Sequence, residues 1–415
     1  MSDAAIQTLR TTARDMFDAA VKAADPAPAL RHHLLADPLP PLSGGRYILI
    51  AVGKAASAMM AEALIHLPTG ADHVALVVTN YENARSVPGA MVIAAGHPVP
   101  DMNGEKAGRA VIDLLENASA SDRVIALISG GGSALLPAPI EGVSLKDKAE
   151  VSRILLGAGF DITEMNAVRQ QLSRLKGGGF SRLAMPAPVS AYILSDVIGD
   201  DLRAIASGPT AAPILSRSDV VELLQARGVF NEMPVAVQAV LKAPEIPVNA
   251  AITTTNTLIA SNRKSLDAAL AVSPLPARIV SDHLVGDVAD AAQSIIEAAQ
   301  ASGGPDALIF GGETTVRLTG SGTGGRNQEL ALRVAMSAHP PSPWVFLSGG
   351  TDGRDGPTQA AGGLVDSGTA ARIGPQAAAL LANNDSNAAL AKAGDLLVTG
   401  ATGTNVADVQ IFLRG

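Results

Sequence analysis

The stretch ILIAVGKAAS, residues 48–57, decides the fold class. The apolar run Ile48 to Val52 stops at Gly53, and Lys54 and small residues follow. It reads as a buried strand that ends in a tight turn and feeds a helix. Glycine at such a turn lets the backbone approach a ligand, and the freed amides can bind an anion. The same pattern recurs in VIALISGGGSALL (124–136), ALIFGGETTV (307–316), VFLSGGTDGRDGPT (345–358) and LLVTGATGTN (396–405). One such turn is ordinary packing. Five predict an α/β enzyme that holds phosphates at the carboxyl ends of its strands.

Outward from that stretch, strands expected at 46–52, 73–79, 90–95, 123–129 and 189–195 alternate with helices at 55–67, 104–117 and 145–175. This βαβ rhythm predicts a mainly parallel sheet with helices on both faces. Residues 1–35 and 217–243 read as helical. The composition changes at APEIPVNAAITTTN (243–256), which reads as a domain joint. A second α/β rhythm follows, with strands near 277–281, 306–310, 315–319, 343–348 and 395–399 and helices near 262–272, 287–301 and 326–337. The last stretch, VADVQIFLRG (406–415), reads as an edge strand. The expected domains are 1–242 and 250–415.

The chain has 415 residues, too many for one ordinary core. Its net charge of −8 argues against a nucleic-acid or anionic-membrane partner, because the general field is repulsive. It has no cysteine, which excludes disulfides, thiolate catalysis and Cys-ligated zinc. No run reaches the ~20 apolar residues of a membrane span, and the N-terminus reads as a surface helix. A cytoplasmic monomer or homodimer is the expectation.

The charged residues beside these turns are the candidate site. Lys54 stands at a helix N-terminus, the unfavourable end for a cation, so a shared anion is expected there. It does not belong to a Walker A loop, since Ala55 follows it. Ser129, Gly130, Gly131, Gly132 and Ser133 would form a phosphate nest. In VRQQLSRLKGG (168–178), Arg169 and Lys176 are seven residues apart, hence on one helix face. Asp196 follows a strand end in LSDVIGDD (194–201). Arg326 repeats the cation-at-helix-start conflict. Asp352 and Asp355 lie in a post-strand loop suited to Mg²⁺, and Asn405 follows another glycine turn. Gly320, Gly322 and Gly325 match GxGxxG, but the acid of a dinucleotide site is missing at the end of the next strand.

The ordered series GHPVPDMNG (96–104), ISGGGSALL (128–136), EMNAVRQQLSRLKGG (164–178), LSDVIGDD, GGETTVRLTGSGTGGRNQE (311–329) and GDLLVTGATGTNVADVQ (394–410) resembles the glycerate 2-kinase family. The resemblance implies a two-domain fold. A Rossmann-like, mainly parallel N-terminal sheet is flanked by helices, and a smaller C-terminal α/β domain, termed MOFRL, follows, with the site in the interdomain cleft. It implies ATP- and Mg²⁺-dependent phosphorylation of D-glycerate at its 2-hydroxyl. Lys54 and Arg326 match the family's phosphate-handling positions. Within that reading Arg169, Lys176, Asn327 and Asn405 would bind substrate or phosphate, Asp196 would activate the hydroxyl, and Glu313 and Asp352 would hold Mg²⁺. The rivals are an NAD(P)H-dependent hydroxypyruvate reductase, a name this family often carries, and a catalytically silent sugar-acid sensor.

Overall fold

The computed structural model describes residues 3–244, 253–301, 306–337 and 343–415. Two helices lead, α1 (Asp3–Ala23) and α2 (Pro26–Ala36). Two compact units follow from the packing: Leu30–Leu194 with Asp200–Ile259, and Met1–Ala29 with Ser195–Gly199 and Ala260–Gly415. The first helix therefore packs in the unit that holds the C-terminal half.

The first sheet contains β1 (Tyr47–Val52), β2 (His73–Asn80), β3 (Met91–Ala95), β4 (Arg123–Ile128), β5 (Val189–Leu194) and β6 (Thr254–Ala260). Their order is β3-β2-β1-β4-β5-β6, and the β3/β2, β2/β1, β1/β4 and β4/β5 pairs are parallel. This is the doubly wound order, whose connections reverse direction between β1 and β4. Tyr47–Val52 is buried throughout, as a central parallel strand covered on both faces requires. The expected mainly parallel sheet is observed. Strand β6 begins inside the segment read from sequence as a joint; its opening run of three threonines and one asparagine hid it.

Helices α3 (Ala56–Ile65), α4 (Met102–Glu116), α5 (Gly132–Leu135), α6 (Leu145–Gly157), α7 (Ile162–Gln171), α8 (Gly179–Ala184), α9 (Arg217–Ala226) and α10 (Val235–Lys242) complete this unit. Capping boxes start α6 (Ser144 with Asp147), α7 (Asp161 with Glu164) and α9 (Ser216 with Asp219), each satisfying amides that a helix start leaves free. Val151, Leu155, Val168, Leu172, Val220, Leu224 and Phe230 bury these helices against one another.

The expected helical span 145–175 is two helices and a turn. After Gln171 the chain leaves the helix, because Leu172 O and the Arg174 amide bond instead to the 138–140 segment. Lys176 therefore stands in a turn and shares no helix face with Arg169, which corrects the sequence argument for that pair.

The other unit is built on α11 (Asn262–Ala271), β7 (Ala277–Asp287), α12 (Val288–Ala301), β8 (Asp306–Thr315), α13 (Arg326–Met336), β9 (Trp344–Gly350), β10 (Gly362–Asp366), α14 (Thr369–Ile373), α15 (Ala377–Ala382), α16 (Ser386–Ala393), β11 (Leu396–Leu397) and β12 (Asp408–Arg414). Its sheet order is β11-β10-β9-β12-β8-β7, antiparallel except for β7/β8. The last strand, expected at an edge, lies between β9 and β8. Val409, Ile411 and Leu413 pack under Leu9, Ala13, Met16 and Phe17 of α1, while Phe412 stacks on Trp344 on the other face. Its polar residues Asp408, Gln410 and Arg414 are all buried, as a central strand requires. Residues 316–325, partly read as a strand, are an irregular connection. Among the described residues no helix is long and apolar enough to cross a membrane.

Candidate active site

The carboxyl ends of β1 and β4 meet at the point where the strand order reverses, where doubly wound sheets bind ligands. The two ends are laced together. The Lys54 amide donates to Gly130 O at 2.9 Å, and the Ser129 amide donates to Val52 O at 2.9 Å. Ser129 Oγ, itself buried, accepts the Ala55 amide at 3.1 Å and donates to Val52 O at 3.3 Å. The Ser129 side chain thus clamps the two turns, and this corrects its expected phosphate contact. Gly130 and Gly132 are buried. Gly131 has φ +86°, a conformation that favours glycine, and a Cβ there would lie 3.1 Å from the His97 ring and 3.4 Å from the Lys54 side chain; a Cβ at Gly132 would meet Ala206 Cβ at 2.9 Å. The Gly131 backbone therefore lets Lys54, which is exposed, approach His97.

A cavity of about 660 Å³ opens beside this turn. Its walls include His97, Gly131, Ser133, Lys148, Arg169 and Lys176, and no acidic side chain lines it. Lys148 lies on the inward face of α6, one turn before Val151 and Ser152 and two before Leu155. Its Nζ donates to Leu172 O at 3.3 Å, at the carbonyl end of α7. Arg169 Nη2 donates to Ser152 Oγ at 3.3 Å. Lys176 Nζ donates to Ser133 Oγ at 2.8 Å, and Ser133 and Ser207 hydroxyls are 2.9 Å apart. None of the three cations has an ion pair with a described carboxylate.

Such a cluster is electrostatically unsatisfied. Burial, then the Arg169 charge, pulls the Lys148 ammonium down to about 8. Burial, then Lys148 and Arg169, holds Lys176 well below the usual lysine range. Burial also lowers Arg169. Burial, followed by the nearby Lys54, lowers His97, opposed by Glu82. The cavity wall thus gathers cationic groups with no carboxylate beside them.

Of the expected residues the fold gathers Ser133, Arg169 and Lys176 on the cavity wall, with Lys54 beside Gly131; Lys148 and His97, not singled out in the sequence, line the same wall. A lysine on the apolar stripe of α6 was the available signal for Lys148. His97 lies in the GHPVPDMNG stretch quoted above, but only the fold points it at the cavity; Ser207 is buried behind Ser133.

The second group of expected residues lies in the other unit. Arg326, at the start of α13, makes a two-pronged pair with Asp408 (Nε–Oδ2 2.6 Å, Nη2–Oδ1 3.0 Å) and reaches Glu313 at 2.8 Å. The anion expected opposite Arg326 is therefore supplied by the protein. Burial works against the Arg326 charge, but the Asp408 bonds outweigh it and raise its pKa. Burial pushes Asp408 up to about 6 against the pull of Arg326. Asp355 is not a metal-loop ligand: it is buried and caps α13, accepting from the Asn327 amide at 3.1 Å and the Gln328 amide at 2.8 Å. Asn327 is buried between Asp355 and the Ser348 hydroxyl, so its side chain serves this cap, which corrects its expected phosphate contact. Asn405 Oδ1 accepts the Ala407 amide at 3.2 Å in a local turn. Asp196 is half-buried directly after β5, in the 195–199 segment.

Mg²⁺ held by the protein alone does not fit these carboxylates. Glu313 is paired with Arg326, and Asp352 Oδ1 accepts the Arg354 amide at 3.0 Å. Among the described residues no group of three or more His, Asp or Glu could hold a metal ion.

The GxGxxG glycines form no open cradle either. A Cβ at Gly320 would sit 2.4 Å from Asn383 O, at Gly322 2.4 Å from Asp385 Cβ, and at Gly325 2.3 Å from Asp355 Cγ. Each admits close approach of the protein to itself, and no strand runs directly into the motif.

A doubly wound unit with a cation-lined cavity beside its switch point, joined to a mixed-sheet unit, defines an α/β protein with a candidate site for a small anion. Comparison with known proteins specifies the class. Residues 12–242 match the domain of unknown function DUF4147, and residues 306–408 match the MOFRL family. A D-glycerate 2-kinase of Thermotoga maritima is 38% identical, covering 98% of this chain and 99% of that protein. A human glycerate kinase is 35% identical over 99% of this chain and 94% of its own. A putative hydroxypyruvate reductase of Agrobacterium vitis is 36% identical over 98% and 94%. The crystal structure of the Thermotoga maritima glycerate kinase superposes with a TM-score of 0.91 at 37% identity, covering 99% of this chain and all of that one. The chain belongs to the glycerate kinase family, and it is a kinase.

Proposed function

We propose that this enzyme transfers the γ-phosphoryl group of ATP to the 2-hydroxyl of D-glycerate, giving 2-phosphoglycerate and ADP. The observation that carries the reading is the cavity bounded by Lys148, Arg169 and Lys176 with no acid in its lining. A carboxylate substrate that gains a phosphate is the kind of anion such a wall favours, and the names of the relatives point to the same substrate. Arg169 and Lys148 bind the glycerate carboxylate, Arg169 with a planar fork that can reach two oxygens. Lys54, exposed beside Gly131, neutralises the phosphoryl group in transfer. The glycerate oxygen bonds to phosphorus as the bond to the ADP oxygen breaks, ADP leaves with that electron pair, and the hydroxyl proton passes to a general base. The protein supplies mainly position and charge. Mg²⁺ enters with the nucleotide, whose phosphates and waters provide most of its ligands. Dependence on ATP, which the cytoplasm supplies, fits a cytoplasmic enzyme.

The reductase name among the relatives finds no support in the packed glycines at 320, 322 and 325. ADP release with D-glycerate, run beside NADH oxidation with hydroxypyruvate, separates the two activities. NADH turnover without ADP release would refute the kinase reading.

A further inference from the structure

Lys176 is the most deeply buried cation of the cavity, with 6% of its surface exposed. Its partner is a hydroxyl, not an acid. Lys176 Nζ, Ser133 Oγ and Ser207 Oγ form a chain with steps of 2.8 and 2.9 Å, and Ser133 lines the cavity. The far end of this chain is held with effort. Ala206 and Ser207 have φ of +49° and +61°, conformations that side-chain-bearing residues rarely adopt. The turn is pinned there by the Gly177 amide and Gln170 Nε2, both donating to Ser207 O at 3.1 Å, and by the Gly178 amide donating to Gly208 O at 2.8 Å. The bonds that hold the Ser207 turn thus come from the Lys176 turn itself and from α7. Such strain, held from two sides, fixes a hydroxyl at one place.

We infer that Lys176, through the Ser133 hydroxyl, takes the proton from the acceptor hydroxyl during phosphoryl transfer, with Ser207 fixing the orientation of Ser133. The substrate proton passes to Ser133 Oγ as the Ser133 proton passes to Lys176 Nζ, which changes from amine to ammonium. The substrate oxygen bonds to the γ-phosphorus, and ADP leaves with the electron pair of the broken bond. This inference rests on the kinase reading above.

The surroundings supply the base. The charges acting on Lys176 are those of Lys148 on α6 and Arg169 on α7, while α5 and the Ile205–Ser207 turn present only hydroxyls. Burial and two neighbouring cations favour the neutral amine in the empty cavity. A bound carboxylate brings negative charge and raises the proton affinity of that amine. The base therefore strengthens when substrate is present. A lysine that only holds an anion would need to stay charged throughout.

Arginine separates the two roles, because it keeps the charge and cannot give up its proton. The test is kcat and KM for D-glycerate across pH for the wild type, K176R and S133A, with thermal melts to confirm folding. The expected wild-type kcat falls on the acidic side as the amine takes a proton. K176R should lose about 100-fold or more in kcat with KM changed less than about 5-fold, and S133A should lose at least about 10-fold with its acidic limb flattened. Threonine at position 133 should restore most of the rate. K176R within about 5-fold of wild-type kcat, or a loss confined to KM, overturns the inference. If K176R does not fold, S133A decides, and kcat within about 3-fold of wild type overturns it. A wild type that forms no ADP from D-glycerate overturns the kinase reading and the relay together. An active wild type with an unimpaired K176R overturns the relay alone.

Discussion

Arg326 and Asp408 form a two-pronged ion pair, with Nε–Oδ2 at 2.6 Å and Nη2–Oδ1 at 3.0 Å, between the start of α13 and the start of the last strand. Asp408 is fully buried, so the pair is a fixed part of the unit. Lysine in place of Arg326 keeps the charge but loses the fork and leaves one carboxylate oxygen without a donor. Arg326→Lys should lower unfolding free energy by about 1–3 kcal/mol, read by urea denaturation. A stability equal to wild type would mean the fork contributes nothing.

The cation cluster gives a pH-dependent response to anions. Lys148 has its pKa depressed in the fold to about 8 from an ordinary 10.5, and burial with the neighbouring Lys148 and Arg169 charges also holds Lys176 well below the usual lysine range. A lysine with a lowered folded pKa gives stability that is present at alkaline pH and lost as pH falls through the folded value. At pH 7 Lys148 therefore opposes folding unless an anion occupies the cavity. Inorganic phosphate at pH 7 should raise the melting temperature, by about 2.7 kcal/mol of stabilisation at a hundred times its Kd. The increment should shrink at pH 9, where the Lys148 charge is largely gone. An increment unchanged between pH 7 and pH 9 would place the phosphate elsewhere.

Lys54 is exposed and has no ion pair among the described residues, so its removal should leave the fold intact. Lys54→Ala should reduce kcat by an amount equivalent to roughly 2–4 kcal/mol, as loss of a group that neutralises transition-state charge does. Near-wild-type turnover would make Lys54 a surface lysine.

Gly131 carries both a backbone and a spacing requirement. Gly131→Ala at φ +86° costs about 1–2 kcal/mol in backbone strain, and its methyl meets His97 and Lys54. The variant should melt lower and lose activity together. Full activity would show that the 131 turn does not shape the site.

Much of this arrangement was legible in the sequence, for physical reasons that differ by element. Apolar runs ending in glycine located β1, β4 and β9 because a buried strand needs continuous apolar residues and a tight exit. β12 misled because Asp408, Gln410 and Arg414 look exposed, whereas the fold pairs or buries each one. β10, GGLVD, is too short and glycine-rich to show a period. At the site, Lys54 and the Gly130–Ser133 turn were visible from strand-end chemistry. Arg169 and Lys176 were rightly brought together, but by the turn after Gln171 and not by helix periodicity. Lys148 was not singled out in the sequence. Its inward direction depends on which face of α6 meets Val168 and Leu172, and that is a tertiary fact.

The most direct test of the account is product identification with purified enzyme, ATP, Mg²⁺ and D-glycerate, by ³¹P NMR and by an enolase-coupled assay without added mutase. The account predicts stoichiometric ADP and 2-phosphoglycerate. Exclusive 3-phosphoglycerate, or no ADP at all, would contradict it.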